Sequence, residues 1–202
     1  MACKDENCTN EKTSANRHKN GVTSYGMQDP QLVFDNLGIK KGNIIIDLGC
    51  GAGDYSFHAA ELTGKTRIVY PCDKWPEIKD KIIKRAKESE FKNIFPKQFD
   101  MTKEAYPFKD NIADLCLLVT VLHIPLIKKN CAHIFSQVKR ILKPSGVFAI
   151  INCKKEEMPF GPPIEMKLSP EETQELLTCA GFFQIKTTDL GCNYMSLFQY
   201  RQ

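Results

Sequence analysis

Long apolar runs are scarce in this chain of 202 residues. The first 20 residues contain no valine, leucine, isoleucine or aromatic residue, so they lack the apolar middle of a secretory signal peptide. The longest apolar stretch, residues 112–127, is shorter than a membrane span and is interrupted by an aspartate, a histidine and a proline. We therefore predict a protein without a membrane anchor, in which residues 1–20 are a disordered tail that contains cysteines.

Paired cysteines are missing as well. No two of the nine cysteines form a Cys-Xaa-Xaa-Cys pair, and no histidines stand at a matching spacing, so the sequence predicts no metal site. An odd number of cysteines cannot all pair within one chain. Cys116 and Cys153 also lie in apolar runs, where a free thiol packs as a small apolar group. Because free thiols persist in a reducing compartment, we expect a cytoplasmic protein.

A large excess of charge of either sign is also absent. The 28 lysines and arginines outnumber the 24 acids only slightly, which gives a net charge of +4. The basic residues are mixed with acids, as in residues 79–90, whereas nucleic-acid binding needs them gathered on one face. The composition therefore gives no support for a nucleic-acid partner.

Strand and helix patterns alternate along residues 21–202, which we interpret as one domain. Five strands, each followed by a helical pattern or a loop, are predicted at residues 43–47, 66–73, 93–100, 113–120 and 147–153. Apolar and polar residues alternate in two further segments, at residues 182–190 and 194–200. Only a few residues separate these segments, as in a β-hairpin. We therefore predict an α/β fold with a Rossmann-like open twisted sheet. It is mostly parallel, with seven strands, a C-terminal antiparallel strand and helices on both faces.

The helical patterns fall at residues 29–38, 53–64, 76–90, 126–142 and 169–181. The last of these has a complete helix start, because Ser169 is a favoured N-cap, Pro170 suits the first turn and Glu172 closes a capping box. Residues 154–168 contain too many prolines for a regular element and are predicted to form a loop.

The segment IIIDLGCGAGDYS, residues 44–56, runs from a buried strand through an acid into three alternating glycines. Glycines let a backbone approach a ligand closely, and the helix after Gly53 presents unpaired N–H groups to an anion. A nicotinamide dinucleotide fingerprint would place a third glycine at position 54, where Asp54 stands and would repel a pyrophosphate. An NAD-dependent oxidoreductase is therefore the disfavoured alternative.

Acids end three successive predicted strands at the edge where such sheets bind ligands. Asp47, with Asp54, suits an ammonium or sulfonium group, and Asp73 suits two ribose hydroxyls. Asp100, followed by Met101, offers an acceptor for an adenine amino group.

Lys74 and Trp75, which follow the second of these acids, can cover an adenine. S-adenosylmethionine carries a cation, a carboxylate, a ribose and an adenine, so we predict it as the cofactor.

Four segments follow one another in order: DLGCGAG at 47–53, PCDKW at 71–75, YPFKDNIADLCLLVTVLHIP at 106–125 and QVKRILKPSGVFAIIN at 137–152. Together they resemble the class I S-adenosylmethionine-dependent methyltransferases, especially the small single-domain branch similar to ubiquinone and menaquinone methyltransferases. The resemblance spans residues 30–202. Pro-Ser-Gly replaces the family's usual Gly-Gly turn, and Pro71 and Cys72 precede the acid of the second strand, which predicts a slight displacement of that acid.

The resemblance implies roles for individual residues. The methionine end of the cofactor would lie on Asp47, Gly49, Gly51 and Gly53, the ribose on Asp73, and the adenine on Asp100 and Met101. Val119 and Thr120, just past the fourth strand, would lie beneath the methyl-bearing sulfur.

Methyl transfer from a sulfonium is an in-line displacement, and orientation alone is worth roughly 7–11 kcal/mol, so no dedicated catalytic group is required. Where the acceptor must lose a proton, His123 is the candidate base. No Asn-Pro-Pro-Tyr motif follows the fourth strand and no large insertion is present, which favours a small-molecule acceptor. We expect its walls to come from residues 18–30 and from Met158, Phe160 and Met166, an apolar lid.

Two alternatives stay open. A soft thiol-bound acceptor such as arsenite is one, with Cys3 and Cys8 acting together with Cys153 and Cys192. The other is a non-catalytic module that keeps the cofactor fold and regulates a partner.

Overall fold

Seven strands form one sheet in the computed structural model, which describes residues 23–65 and 67–201. The strands are β1 (Ile45–Leu48), β2 (Val69–Asp73), β3 (Lys97–Gln98), β4 (Ala113–Val119), β5 (Leu142–Cys153), β6 (Phe182–Asp189) and β7 (Asn193–Tyr200). Their order is β3-β2-β1-β4-β5-β7-β6, and all pairs up to β5 are parallel. β7 runs antiparallel to both of its neighbours, which confirms the predicted fold class.

Helices cover both faces of this sheet. They are α1 (Pro30–Leu37), α2 (Asp54–Thr63), α3 (Pro76–Glu88), α4 (Pro125–Lys129), α5 (Cys131–Ile141) and α6 (Pro170–Cys179). Buried residues of α1, α2 and α3 pack with one sheet face, and those of α5 and α6 pack with the other. In the described part of the chain, no helix has the length and apolar character that a bilayer crossing requires.

The burial of each strand matches its place in the sheet. All four residues of β1 are buried and so are six of the seven residues of β4, as expected for parallel strands covered on both faces. β7 begins with six buried residues, whereas β6 has one buried residue, Phe182, and lies at the edge. The parallel strands therefore present their carboxyl ends at one edge of the sheet.

One predicted helix and one predicted strand are shorter in the structure. The helix predicted over residues 126–142 is divided at Asn130, whose side chain donates a hydrogen bond to the Leu126 carbonyl and competes with the helical pattern. The third strand shrinks to two residues, because Pro96 has no N–H for the ladder.

The fifth strand begins earlier than predicted, at Leu142, and includes the Pro-Ser-Gly segment. A Cβ at Gly146 would lie 2.9 Å from a Leu142 methyl and 3.0 Å from the Ala113 carbonyl oxygen. Only glycine therefore fits where β5 approaches β4.

Candidate active site

The glycine loop between β1 and α2 is held against the end of β2. The backbone N–H groups of Gly49 and Cys50 both donate to the Cys72 carbonyl, at 2.8 and 3.0 Å. Gly49, Gly51 and Gly53 have φ angles of 75°, 52° and 81°, in the region that favours glycine. The loop therefore adopts a conformation that residues with side chains rarely reach.

Gly49 is also confined by its surroundings. A Cβ at this position would lie 3.1 Å from the Val121 side chain and 3.2 Å from the terminal methyl of Met101. The ends of three strands therefore meet here: Gly49 follows β1, Met101 follows β3 and Val121 follows β4.

Asp47 lies at the end of β1 and is only 2% exposed. Its carboxylate accepts a hydrogen bond of 2.6 Å from the Ser56 hydroxyl on α2. Burial raises the pKa of Asp47 to about 7, although the Ser56 hydrogen bond acts in the opposite direction. A cation placed beside this carboxylate would favour its ionised form.

Asp73 is the last residue of β2. Its two carboxylate oxygens accept hydrogen bonds from the backbone N–H groups of Gly51, at 3.3 Å, and Trp75, at 3.2 Å. Burial raises its pKa, while these bonds oppose the rise. Pro71 and Cys72 lie within β2, in register with Asp47 and Leu48 of β1, so the acid stands directly at the strand end.

Lys74 and Trp75 connect β2 to α3. The Lys74 ammonium lies 4.9 Å from the centre of the Trp75 ring, and the ring packs partly against the core on the α3 side. The pair therefore forms a flat, partly apolar surface next to Asp73.

Asp100 follows β3 and is fixed by its own turn. It accepts hydrogen bonds from the Thr102 N–H, at 2.9 Å, and from the Thr102 hydroxyl, at 2.6 Å. Burial by itself would raise its pKa, but these bonds, together with Lys103, hold the pKa below its usual value. The sheet order thus aligns Asp47, Asp73 and Asp100 at the ends of three neighbouring strands.

Val119 is the last residue of β4, the neighbour of β1 in the sheet, and Thr120 follows it. Thr120 has a φ of 47°, an uncommon conformation for a β-branched residue. Its N–H donates to the Ile151 carbonyl at 2.7 Å, and its hydroxyl donates to the Ser24 hydroxyl at 3.1 Å. The end of β4 is thereby joined to the start of the described chain.

Residues 23–28, which we call the N-terminal segment, pack beside the candidate site through contacts that the sequence analysis did not identify individually. The Tyr25 hydroxyl and His58 Nδ1 share a hydrogen bond of 2.7 Å. Gln28 bonds to the Tyr55 hydroxyl and accepts a bond of 2.5 Å from the Asn193 amide. No local sequence signal marks these contacts, because the partners are far apart along the chain.

His123 lies in the turn between β4 and α4. It lines a cavity of about 350 Å³ together with Pro125, Lys128, Lys129, Glu165 and Met166, and we call this the acceptor cavity. Met166 belongs to the proline-rich loop, so the structure brings together the candidate base and one predicted lid residue. Phe160, another predicted lid residue, is 47% exposed.

The role predicted for Asp54, that of an unpaired negative charge beside the cofactor, is wrong. Its carboxylate forms an ion pair with Arg85 at 2.6 Å, and Arg85 also donates to the Ala52 carbonyl and stacks on Phe57. The negative charge is therefore already paired, so Asp54 is not a free anion that would attract a sulfonium or repel a pyrophosphate.

The described cysteines are free thiols. Cys50, Cys72 and Cys116 are buried, and burial raises the pKa of each. Cys153 and Cys192 are neighbours, since Cys153 pairs with Asn193 across β5 and β7. Cys3 and Cys8 lie outside the described residues, and within the part described no three His, Cys, Asp or Glu residues form a group that could hold a metal ion.

The sheet order, the glycine loop and the three strand-end acids define a Rossmann-like nucleotide-cofactor enzyme. Residues 39–200 match the family described as "Methyltransferase domain". The chain belongs to this family, and it is an S-adenosylmethionine-dependent methyltransferase.

Individual relatives agree with this assignment. An uncharacterized methyltransferase of Synechocystis, sll0829, is 30% identical over 80% of this chain and 68% of its own length. The ubiquinone/menaquinone biosynthesis C-methyltransferase UbiE of Citrobacter koseri is 28% identical over 67% of this chain and 53% of its own. The chain thus spans about half the length of UbiE.

Solved structures share the fold. A SAM dependent methyltransferase from Aquifex aeolicus has a TM-score of 0.79 and 25% identity, covering 92% of this chain and 96% of that one. The geranyl diphosphate C-methyltransferase of Streptomyces coelicolor has a TM-score of 0.67 at 16% identity, over 85% and 77% of the two chains. These comparisons favour a methyltransferase over the oxidoreductase alternative.

Proposed function

We propose that this methyltransferase transfers the methyl group of S-adenosylmethionine to a small-molecule acceptor by in-line displacement. The main support for this proposal is the acceptor cavity. Its volume of about 350 Å³ falls in the range of small-molecule sites. It begins at His123, three residues beyond Thr120, and is walled by Met166 of the proline-rich loop.

The described residues fit the cofactor. Gly49, Gly51 and Gly53 have positive φ angles and no side chains, so the backbone of the loop can approach a ligand closely, and the buried Asp47 carboxylate suits the ammonium group of the methionine end. We assign the cofactor site to Asp47, Gly49, Gly51 and Gly53 for methionine, Asp73 for ribose, Lys74, Trp75, Asp100 and Met101 for adenine, and Val119 and Thr120 beneath the sulfur.

The bound cofactor supplies an electrophilic methyl group on a sulfonium centre. The protein orients the acceptor toward that methyl group and excludes water, which accounts for a barrier reduction of roughly 7–11 kcal/mol without a dedicated catalytic group. His123 lines the cavity and can take a proton from an acceptor that must ionise. Its replacement by alanine should alter the pH profile of transfer only for such an acceptor.

We propose a cytoplasmic location, which suits buried free thiols such as those of Cys50, Cys72 and Cys116.

Methyl-labelled S-adenosylmethionine, incubated with the protein and a fractionated extract of the source organism, tests the proposal. We expect the label in a fraction of low molecular weight. Label found only in protein or nucleic acid would contradict a small acceptor. Calorimetric titration with S-adenosylhomocysteine separately tests the cofactor site.

A further inference from the structure

The charges around the acceptor cavity are predominantly positive. Lys128 and Lys129 line it together with His123, and Glu165 is the one carboxylate among its lining residues. Glu172 on α6 lies close enough for Lys128 to affect its pKa, but Glu172 is already paired with Lys155 at 2.5 Å. The two lining lysines therefore outnumber the acid that faces them.

A third lysine lies in the loop that forms the cavity wall. Lys167, next to Met166, is only 3% exposed, and its ammonium donates to the Glu156 carbonyl at 2.7 Å. Among the described residues, no carboxylate forms an ion pair with Lys167. A buried cation without a counter-charge is costly, and an anion bound nearby reduces that cost.

The position of Lys167 links it to the same sheet edge. Its ammonium donates to the carbonyl of Glu156, three residues after the end of β5, so it lies near the carboxyl end of that strand. β5 is the neighbour of β4, from which His123 follows. Lys167 thus adds a positive charge on the β4–β5 side of the edge, where Glu156 and Glu157 are also exposed, and the strand-end acids lie on the β1–β3 side.

The cavity also has an apolar wall. Met166 and Pro125 contribute apolar surface next to the two lysines. A ligand that satisfies both surfaces carries an anionic group on a small apolar body.

We infer that the methyl acceptor is a small organic anion, a carboxylate or a phosphate ester, whose charged group binds Lys128 and Lys129 and whose apolar part packs on Met166. The inference rests on the proposed function and specifies its substrate class. Lys167 supports the wall and adds to the positive potential, as a positioning residue.

The test uses the full chain saturated with S-adenosylhomocysteine and labelled with ¹³C at its methionine methyl groups. Benzoate and phenyl phosphate are the anionic probes, and benzylamine is the cationic probe of similar size. The Met166 signal is assigned with Met166→Leu, and buried Met195 is the internal reference. We expect saturable shifts of Met166 with one or both anions, weakened by added salt, and none with benzylamine.

Charge reversal supplies the matched variants. Lys128→Glu/Lys129→Glu should weaken anion binding roughly tenfold or more, because it replaces attraction by repulsion. Lys84→Glu, at an exposed position on α3, should leave anion binding unchanged.

Each outcome decides one question. A preference for phenyl phosphate or for benzoate distinguishes the two kinds of anion. Equal binding of benzylamine, no saturable shift with either anion, or unchanged anion binding in the double variant would overturn the inference. Failure to bind S-adenosylhomocysteine would instead contradict the proposed function, and the probes can still be titrated against the cofactor-free protein.

Discussion

Asp47 combines near-complete burial with a pKa of about 7, which is unusual for a carboxylate. Its burial comes from its place at the end of a central strand, and its carboxylate accepts a hydrogen bond from Ser56 on the helix that follows the glycine loop. Strand, loop and helix thus fix one acid whose ionisation responds to a nearby cation.

We predict that affinity for S-adenosylhomocysteine rises about tenfold between pH 6 and pH 8, because Asp47 must be ionised to pair with the ligand's ammonium group. Affinity is lost as the pH falls through the pKa of this acid. Calorimetry across this range measures the effect.

Two variants control this prediction. Asp47→Asn should bind weakly and without the rise. Ser56→Ala removes a hydrogen bond that lowers the pKa, so its profile should move to higher pH. A flat profile in the wild-type protein, or the same rise in Asp47→Asn, would show that another group controls binding.

Gly49 gives a second prediction at this scale. Gly49→Ala should reduce affinity for S-adenosylhomocysteine about tenfold, because its Cβ would press on Val121 and Met101 and the φ of 75° disfavours alanine. Gly64→Ala is the matched control, since Gly64 has a φ of 77° with nothing within 4 Å of its Cβ position. If Gly49→Ala and Gly64→Ala lost the same affinity for S-adenosylhomocysteine, backbone strain alone would explain the effect.

The sequence predicted the positions of some residues of the proposed site better than those of others, for physical reasons. Asp47, Asp73 and the glycines were identifiable because strand ends and turns are local patterns. The pairing of Asp54 with Arg85 could not be identified in this way, because 31 residues separate the two partners. The contacts of Ser24 and Gln28 depend on the folded sheet, since Asn193 lies 165 residues from Gln28.

At the scale of elements, local chemistry sets helix boundaries wherever a side chain caps the backbone. The predicted capping box of α6 is present: the Ser169 hydroxyl accepts from the Glu172 N–H at 3.2 Å, and the Glu172 carboxylate accepts from the Ser169 N–H at 2.8 Å. Asn130 acts in the opposite way and divides a helix that its neighbours would continue. The sequence pattern showed the first effect and concealed the second, because apolar periodicity runs through both α4 and α5.

Ser169→Ala should lower the free energy of unfolding by about 1 kcal/mol, since it removes the N-cap acceptor of α6. Urea denaturation followed by circular dichroism measures the loss. Ser145→Ala, at an exposed position in β5, should change stability by much less. A loss no larger than that of the control would show that the remaining interactions of α6 replace the cap.

At the scale of the whole molecule, burial decides which strand of the C-terminal hairpin joins the parallel sheet. Hairpin spacing predicts that β6 and β7 pair, but it does not say which of them lies beside β5. β7 is buried on both faces over its first six residues, whereas β6, with one buried residue, tolerates an edge. The placement of β7 also brings Asn193 to the carboxyl edge, where it meets the N-terminal segment.

The N-terminal segment connects three distant parts of the molecule through Gln28. Gln28 is 8% exposed and Asn193 is fully buried, and the two side chains share a 2.5 Å hydrogen bond, while Gln28 also reaches Tyr55 on α2.

Gln28→Ala and Asn193→Ala should each destabilise the protein by about 1–3 kcal/mol, because each leaves a buried polar group without its partner. Their combined effect should be smaller than the sum by about 0.5 kcal/mol or more. Urea denaturation of both single variants and the double variant measures this coupling, with Gln31→Ala, an exposed position on α1, as the control. Strict additivity would mean that the segment lies on the sheet without a specific bond to β7, and that the sheet edge is assembled independently of it.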